Sequence, residues 1–255
     1  MERLEYERMH AVEDRMWWYR GLRALAGGLL VRALAPPPGN RRSDIRHVDF
    51  PVLDAGCGTG GMLKALGPSV AGRPTMGLEF DTIAAGLAAA KARRPVAAGS
   101  VNEMPIGDAV LAAYVSLDVL CHGGVEPGRA LKEAHRCLRP GAIAVFNLPA
   151  YQWLLSAHDR RVHNVRRFGM GEARALLAAH GFRILRASYW NTLLFPLMIL
   201  HRLIERPEAP SDVRDYPGWL DALFSAALTV ERAAILAGLR LPFGGSLILV
   251  AARDD

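Results

Sequence analysis

At 255 residues, with 51% hydrophobic and 22% charged residues, the chain fits one large folded domain, or one domain with an insert, and whole-chain disorder is excluded. The net charge is +6 and the pI about 9.6, but no run of five or six like charges appears; the default reading is a solvated basic face, with an anionic substrate or a membrane surface as alternatives. Three cysteines, Cys57, Cys121 and Cys137, form no C-x-x-C pair, which fits a reducing, cytoplasmic setting, and the charged start Met1–Glu7 predicts no secretory leader.

In chain order, residues 1–35 read as helical, since Tyr6, Met9, His10, Glu13, Met16 and Trp17 recur at helical spacing and Gly21 allows a break. A breaker-rich linker follows, Ala35-Pro36-Pro37-Pro38-Gly39 and onward to Asp44. Seven strands are then predicted: 48–53, 75–79, 95–98, 112–117, 142–148, 182–190 and 243–251. Helices are predicted over 61–66, 82–92, 127–138 and 170–180, and two more over 191–206 and 218–239. Leu138–Gly141 reads as a turn and Asn147–Tyr151 as a loop. The βαβα rhythm predicts an α/β, doubly wound, mostly parallel seven-stranded sheet, with a helical cap and linker (1–44), a core (45–190), a helical insert (191–242) and a last core strand (243–255). The longest apolar run of the insert, Leu193–Leu200, is far short of the ~20 residues a membrane-spanning helix requires.

The first strand breaks into Asp54-Ala55-Gly56-Cys57-Gly58-Thr59-Gly60 ahead of good helix formers, and strand, glycine turn and helix together suit a nucleotide, because the helix start presents free N–H groups. Asp54 puts a carboxylate at the strand tip, and Glu79, at the end of the second strand, has the offset of about 20 residues at which an acid reaches ribose hydroxyls. Asp54, Glu79, Ser100 and Asp118 all fall at or just past strand ends, the edge at which such sheets bind ligands.

Val52-Leu53-Asp54-Ala55-Gly56-Cys57-Gly58-Thr59-Gly60 resembles the first motif of class I S-adenosylmethionine-dependent methyltransferases, with a Rossmann-like fold. The resemblance extends through Gly99–Pro105, Asp118-Val119-Leu120-Cys121-His122 and Leu138–Gly141, and the pattern as a whole is similar to a bacterial branch of the type-11 methyltransferases. It implies S-adenosylmethionine as cofactor, with Asp54 on the amino group, Gly56, Cys57 and Gly58 beneath the methionine part, Glu79 at the ribose, and Phe80 and Asp118 also in the cofactor site. Ser100 replaces the acid that meets the adenine amino group, and Val101 offers its backbone N–H to a ring nitrogen. The aromatic run Met16–Arg20 resembles a family lid, which implies Tyr19 and Arg23 at the methionine carboxylate.

The polar patch Ser156–Phe168 lies just past the fifth strand, where this family handles substrates. His158, with Asp159 beside it, is a candidate general base, because a histidine pKa sits near neutrality. The alternative is a loop anchored by Arg166 and Arg167 pairing with nearby acids. No metal is expected, since His158, Asp159 and His163 do not converge and no third ligand is evident. The expected activity is O-, N- or C-methylation of a small, apolar or aromatic molecule by a monomer or homodimer, with no nucleic acid and with peripheral membrane contact left open; the alternatives are a nucleic-acid or protein methyltransferase, or a repurposed fold that does not methylate.

Overall fold

The computed structural model describes residues 3–35, 50–70, 72–204 and 213–254. The linker of the sequence reading lies almost wholly outside them. Two helices open the chain, α1 (Arg3–Val12) and α2 (Trp17–Leu34). The break between them falls at residues 13–16, not at Gly21. The core alternates β1 (Val52–Ala55), α3 (Gly61–Ser69), β2 (Thr75–Glu79), α4 (Thr82–Ala92), β3 (Val96–Ala98), β4 (Leu111–Leu117), α5 (Pro127–Cys137) and β5 (Leu138–Pro149). A short α6 (Ala157–Arg161), α7 (Met170–Ala178), β6 (Phe182–Trp190), α8 (Phe195–Ile204), α9 (Gly218–Ala237) and β7 (Ser246–Arg253) complete it.

The sheet has seven strands in the order β3-β2-β1-β4-β5-β7-β6, with β7 antiparallel to both of its neighbours. Two expectations are corrected here. Leu138–Gly141 is the start of β5 rather than a turn, with Leu138 paired to Leu111 and a register shift before Ala113, and Asn147–Pro149 completes β5 rather than forming a loop.

Period-two alternation divides the strand side chains between two layers, as a sheet covered on both faces requires. Val52, Val115, Val145 and Val250 pack under α2 and α3, whereas Leu53, Tyr114, Phe146 and Leu249 pack against α5 and α7. Helix α4 is alanine-rich where it meets the loop: Gly60 has φ +94°, and a Cβ there would lie 2.7 Å from the Ala88 Cα. Gly60→Ala is therefore expected to cost roughly 2–5 kcal/mol from left-handed strain and overpacking together, measured by denaturant unfolding.

The insert, α8 and α9, closes back on the cap. A Cβ on Gly21 would lie 2.4 Å from Leu228 Cδ1, so the bare backbone of α2 is what admits α9. Asp221 of α9 accepts the Trp17 N–H at 2.8 Å and pairs with Arg20 at 2.5 Å, which satisfies one exposed donor at the start of α2. Among the described residues no helix is long and apolar enough to cross a membrane.

Candidate active site

The glycine turn leaves β1 at Asp54 and holds Gly56 and Gly58 at φ +74° and +55°. Asp54 is 2% exposed, and its Oδ2 accepts no hydrogen bond from the protein. Burial, reinforced by Glu13 and Glu79 nearby, pushes its carboxyl up to about 8. A buried carboxylate oxygen without a donor is costly to the fold unless a ligand meets it. An ammonium group, such as the one S-adenosylmethionine carries, is the complement this atom lacks.

One strand over, Glu79 organises the loop. Its Oε2 accepts the Gly58 N–H at 2.8 Å; its Oε1 accepts the Tyr6 hydroxyl at 3.0 Å and the Asp81 N–H at 3.1 Å. A carboxylate offers about four acceptor positions, so roughly one remains for a ribose hydroxyl. Burial and Glu79 hold the Tyr6 hydroxyl above its ordinary value, so it stays a donor. Glu79→Ala is expected to weaken S-adenosylhomocysteine binding at least about tenfold, one charge-assisted contact, and to raise amide exchange across residues 6–12, both read on the same samples. Unchanged affinity would place the ribose elsewhere. Phe80 follows, 78% exposed at the cavity mouth. Ser100 Oγ already accepts the Asn102 N–H at 3.1 Å, and Val101 is buried beside it.

The cap seats on this loop through contacts that local sequence does not reveal. Glu13 is buried, and its Oε1 accepts Thr59 Oγ1 and Lys91 Nζ, each at 2.5 Å. Asp14 pairs with Lys64 at 2.9 Å. Arg23 Nη1 donates to the Glu13 carbonyl at 2.7 Å, and burial lowers its guanidinium below the ordinary value. Tyr19 and Arg23 both line the cavity, and burial, with Glu13 and Asp118 adding to it, raises the Tyr19 hydroxyl.

At the end of β4, Asp118 adopts φ +57°, a left-handed backbone that other contacts must hold. Asn147 Nδ2 donates to its Oδ1 at 2.8 Å, and Trp190 Nε1 donates to Asn147 Oδ1 at 2.7 Å. Trp190 in turn stacks on Trp18 of the cap, centroids 4.7 Å apart. Burial raises the Asp118 carboxyl to about 6, against the pull of the Asn147 hydrogen bond.

In the patch after β5, Arg167 pairs with an acid, as the anchored-loop reading expects. Arg167 reaches Asp159 through both Nε and Nη2, at 2.9–3.1 Å, and Ser156 gives its N–H and hydroxyl to Asp159 Oδ2. Asp159 is 1% exposed. Burial pushes its carboxyl up, but the Arg167 guanidinium and Ser156 outweigh it and hold the group below its ordinary value. A carboxylate so engaged anchors the loop and is poorly suited to take a proton. The His158 side chain lies outside the described residues. His122, which lines the cavity, is held neutral by burial, at about 4. Among the described residues no group of three His, Cys, Asp or Glu side chains is placed to hold a metal ion.

One cavity of about 680 Å³ joins these parts, and Asp54, Gly56, Cys57, Gly58, Glu79, Phe80, Ser100, Val101, Asp118, Tyr19 and Arg23 all line it. A further wall is built by Trp17, Leu194, Met198, Tyr216 and Phe224, from the aromatic run of the cap and from the insert, whose apolar sequence reads as extra core, a dimer face or a hydrophobic lid against an apolar acceptor. Trp17 meets Tyr216 and Phe224 edge to face, with centroids at 6.3 and 5.0 Å. The apolar composition of the insert was the available signal.

A family described as a methyltransferase domain matches residues 53–146, the segment that carries Asp54, Glu79, Ser100 and Asp118. No curated protein matches the chain by sequence. Among solved structures, the chain is similar to a chain of the complex between the Haloferax volcanii Trm112 methyltransferase activator and the putative methyltransferase, with a TM-score of 0.58, 19% identity and 98% of each chain covered. It is also similar to geranyl diphosphate methyltransferase in complex with GPP and sinefungin, with a TM-score of 0.57 and 15% identity over 89% of this chain and 77% of that one. A third, described as a putative sarcosine dimethylglycine methyltransferase from Galdieria sulphuraria, has a TM-score of 0.54 and 17% identity over 82% and 81%.

Proposed function

We propose that this chain, a class I S-adenosylmethionine-dependent methyltransferase, passes the methyl group to a small, largely apolar molecule held between the cap and the insert. The observation that carries the acceptor class is this aromatic and aliphatic wall, continuous in one cavity with the glycine turn. Bound S-adenosylmethionine supplies a methyl that its sulfonium already makes electrophilic. Asp54 receives the ammonium, Glu79 a ribose hydroxyl, and Tyr19 and Arg23 face the carboxylate. Trp17, Trp18 and the insert exclude water and fix the line of approach, which is where most of the rate advantage of such a transfer arises. Where the acceptor must lose a proton, Asp118, which lines the cavity and is raised by burial to about 6, has the near-neutral value the task wants, and Asn147 holds its Oδ1.

The test is incubation with tritiated-methyl S-adenosylmethionine and a cell extract. Label should enter the solvent-extractable, low-mass fraction. Label confined to acid-precipitable RNA or protein would sink the small-molecule reading. That outcome would favour a macromolecular substrate, for which the pI of about 9.6 and the likeness to a chain solved with an activator speak.

A further inference from the structure

We propose that the purine end of the cofactor site is slack at the 6-position: it accepts S-adenosyl cofactors whose 6-amino group is alkylated, and Ser100 is the residue that sets this tolerance. The inference rests on the placement of the ammonium at Asp54 and the ribose at Glu79.

The sheet order fixes the direction of the cofactor. Asp54 stands at the tip of β1 and Glu79 at the tip of β2, and the parallel β3 is next in line. A ligand that runs from the first acid to the second continues toward the tip of β3, about 10 Å from β1 at two strand spacings. The wall there consists of Phe80, Gly99, Ser100, Val101, Gly124 and Val125. Of these six side chains only that of Ser100 is polar; His122, two residues before Gly124 in the chain, also lines the cavity.

That hydroxyl is a weak partner for an amino group. It is uncharged, and it already accepts the Asn102 N–H. A neutral hydrogen bond contributes about 0.5–1.5 kcal/mol, where a bond to a charged group contributes about 1.5–3. Two other polar side chains, just past the ends of β2 and β3, make bonds of their own. Asp81 Oδ1 accepts the N–H groups of Ile83 and Ala84 at 2.9 Å, and Asn102 uses its side-chain amide on the Gly124 carbonyl and the Glu126 N–H, also at 2.9 Å. Space is available as well: a Cβ built on Gly124 would meet nothing within 4 Å. A site discriminates sharply only when removing a ligand hydrogen leaves its own buried polar group unpaired. Ser100, half-buried and already bonded to Asn102, suffers no such loss.

Calorimetry with S-adenosylhomocysteine and its N6,N6-dimethyl analogue, which has no 6-amino hydrogen, tests this on the full chain. The two should bind within about fivefold of each other, the size of one neutral hydrogen bond. Ser100→Asp should tighten S-adenosylhomocysteine and widen the ratio to at least about tenfold. Discrimination above about fiftyfold in the unaltered chain overturns the inference, and so does a folded Ser100→Asp variant with an unchanged ratio. If neither compound binds the unaltered chain, the cofactor placement itself fails, and the inference falls with it.

Discussion

Replacing Asp54 by asparagine is expected to weaken S-adenosylhomocysteine binding by about 10- to 100-fold, the loss of one charge-assisted hydrogen bond, while leaving the chain as stable as before or more so. The two effects share a cause. Asp54 Oδ2 is buried without a protein donor, so the unliganded fold bears the cost of a group that only the ligand satisfies. The sign of the pH dependence follows from the carboxyl's upward displacement from 3.8 to about 8. Across that window the folded chain holds a proton that the unfolded chain has released, so this group destabilises the fold progressively as pH rises. Binding an ammonium requires the ionised form. Affinity should therefore increase from about pH 5 to about pH 7, with a proton released on binding, and the asparagine variant should be flat over that range. Calorimetry in buffers of different ionisation enthalpy reads both quantities. Equal affinity for the two proteins would remove Asp54 from the cofactor site.

Arg167→Met should have the largest effect on stability, a loss of about 3–5 kcal/mol in denaturant unfolding, because it strands a buried carboxylate. Arg167 and Asp159 are both nearly inaccessible. A double variant, Arg167→Met with Asp159→Leu, should recover much of the loss, since it removes the uncompensated charge. The carboxyl is held below its ordinary value. The stabilisation is therefore complete above the unfolded value and is lost as pH falls through the folded one. A single Arg167→Met variant as stable as the parent would mean that the pair is not closed in solution.

Both variants concern carboxylates in one cavity, and of the two the placement of Asp54, buried at the tip of β1, was the more legible from sequence. Its role is local: an acid two residues before a glycine at a strand tip is legible from strand pattern and turn chemistry alone. The same holds for β2 and α4, whose ends agree with the sequence reading to the residue, because Asp81 caps α4 through Ile83 and Ala84 within three residues. Asp159 shows the opposite. Adjacency to His158 suggested proton transfer; the alternative, Arg166 and Arg167 anchoring the loop on nearby acids, named Arg167 but not its partner, and that Arg167 meets Asp159 is settled by the fold of a loop with no periodicity. Glu13 was visible only as one position in a helical series. Its partners, Thr59 and Lys91, lie 46 and 78 residues away, and no local pattern encodes them. Asn147 fell both within the strand read over 142–148 and at the head of the loop read over 147–151, and neither reading gave its side chain a partner. It is the hinge of the hydrogen bonds from Trp190 to Asp118.

The seam between α2 and α9 bears on how the chain is made. Gly21 meets Leu228, the Trp17 N–H meets Asp221, and Arg15 meets Asp215 at 2.6 Å, so the first helices are completed by contacts about 200 residues downstream. The last strand, Ser246–Arg253, must also slot between two strands already formed. Long-range closures of this kind are slow and come late. During translation the aromatic start of α2 therefore waits, uncovered on its α9 side, until the chain through α9 has left the ribosome. The glycine turn can fold early on its own strand and helix, but the roof over it is assembled last.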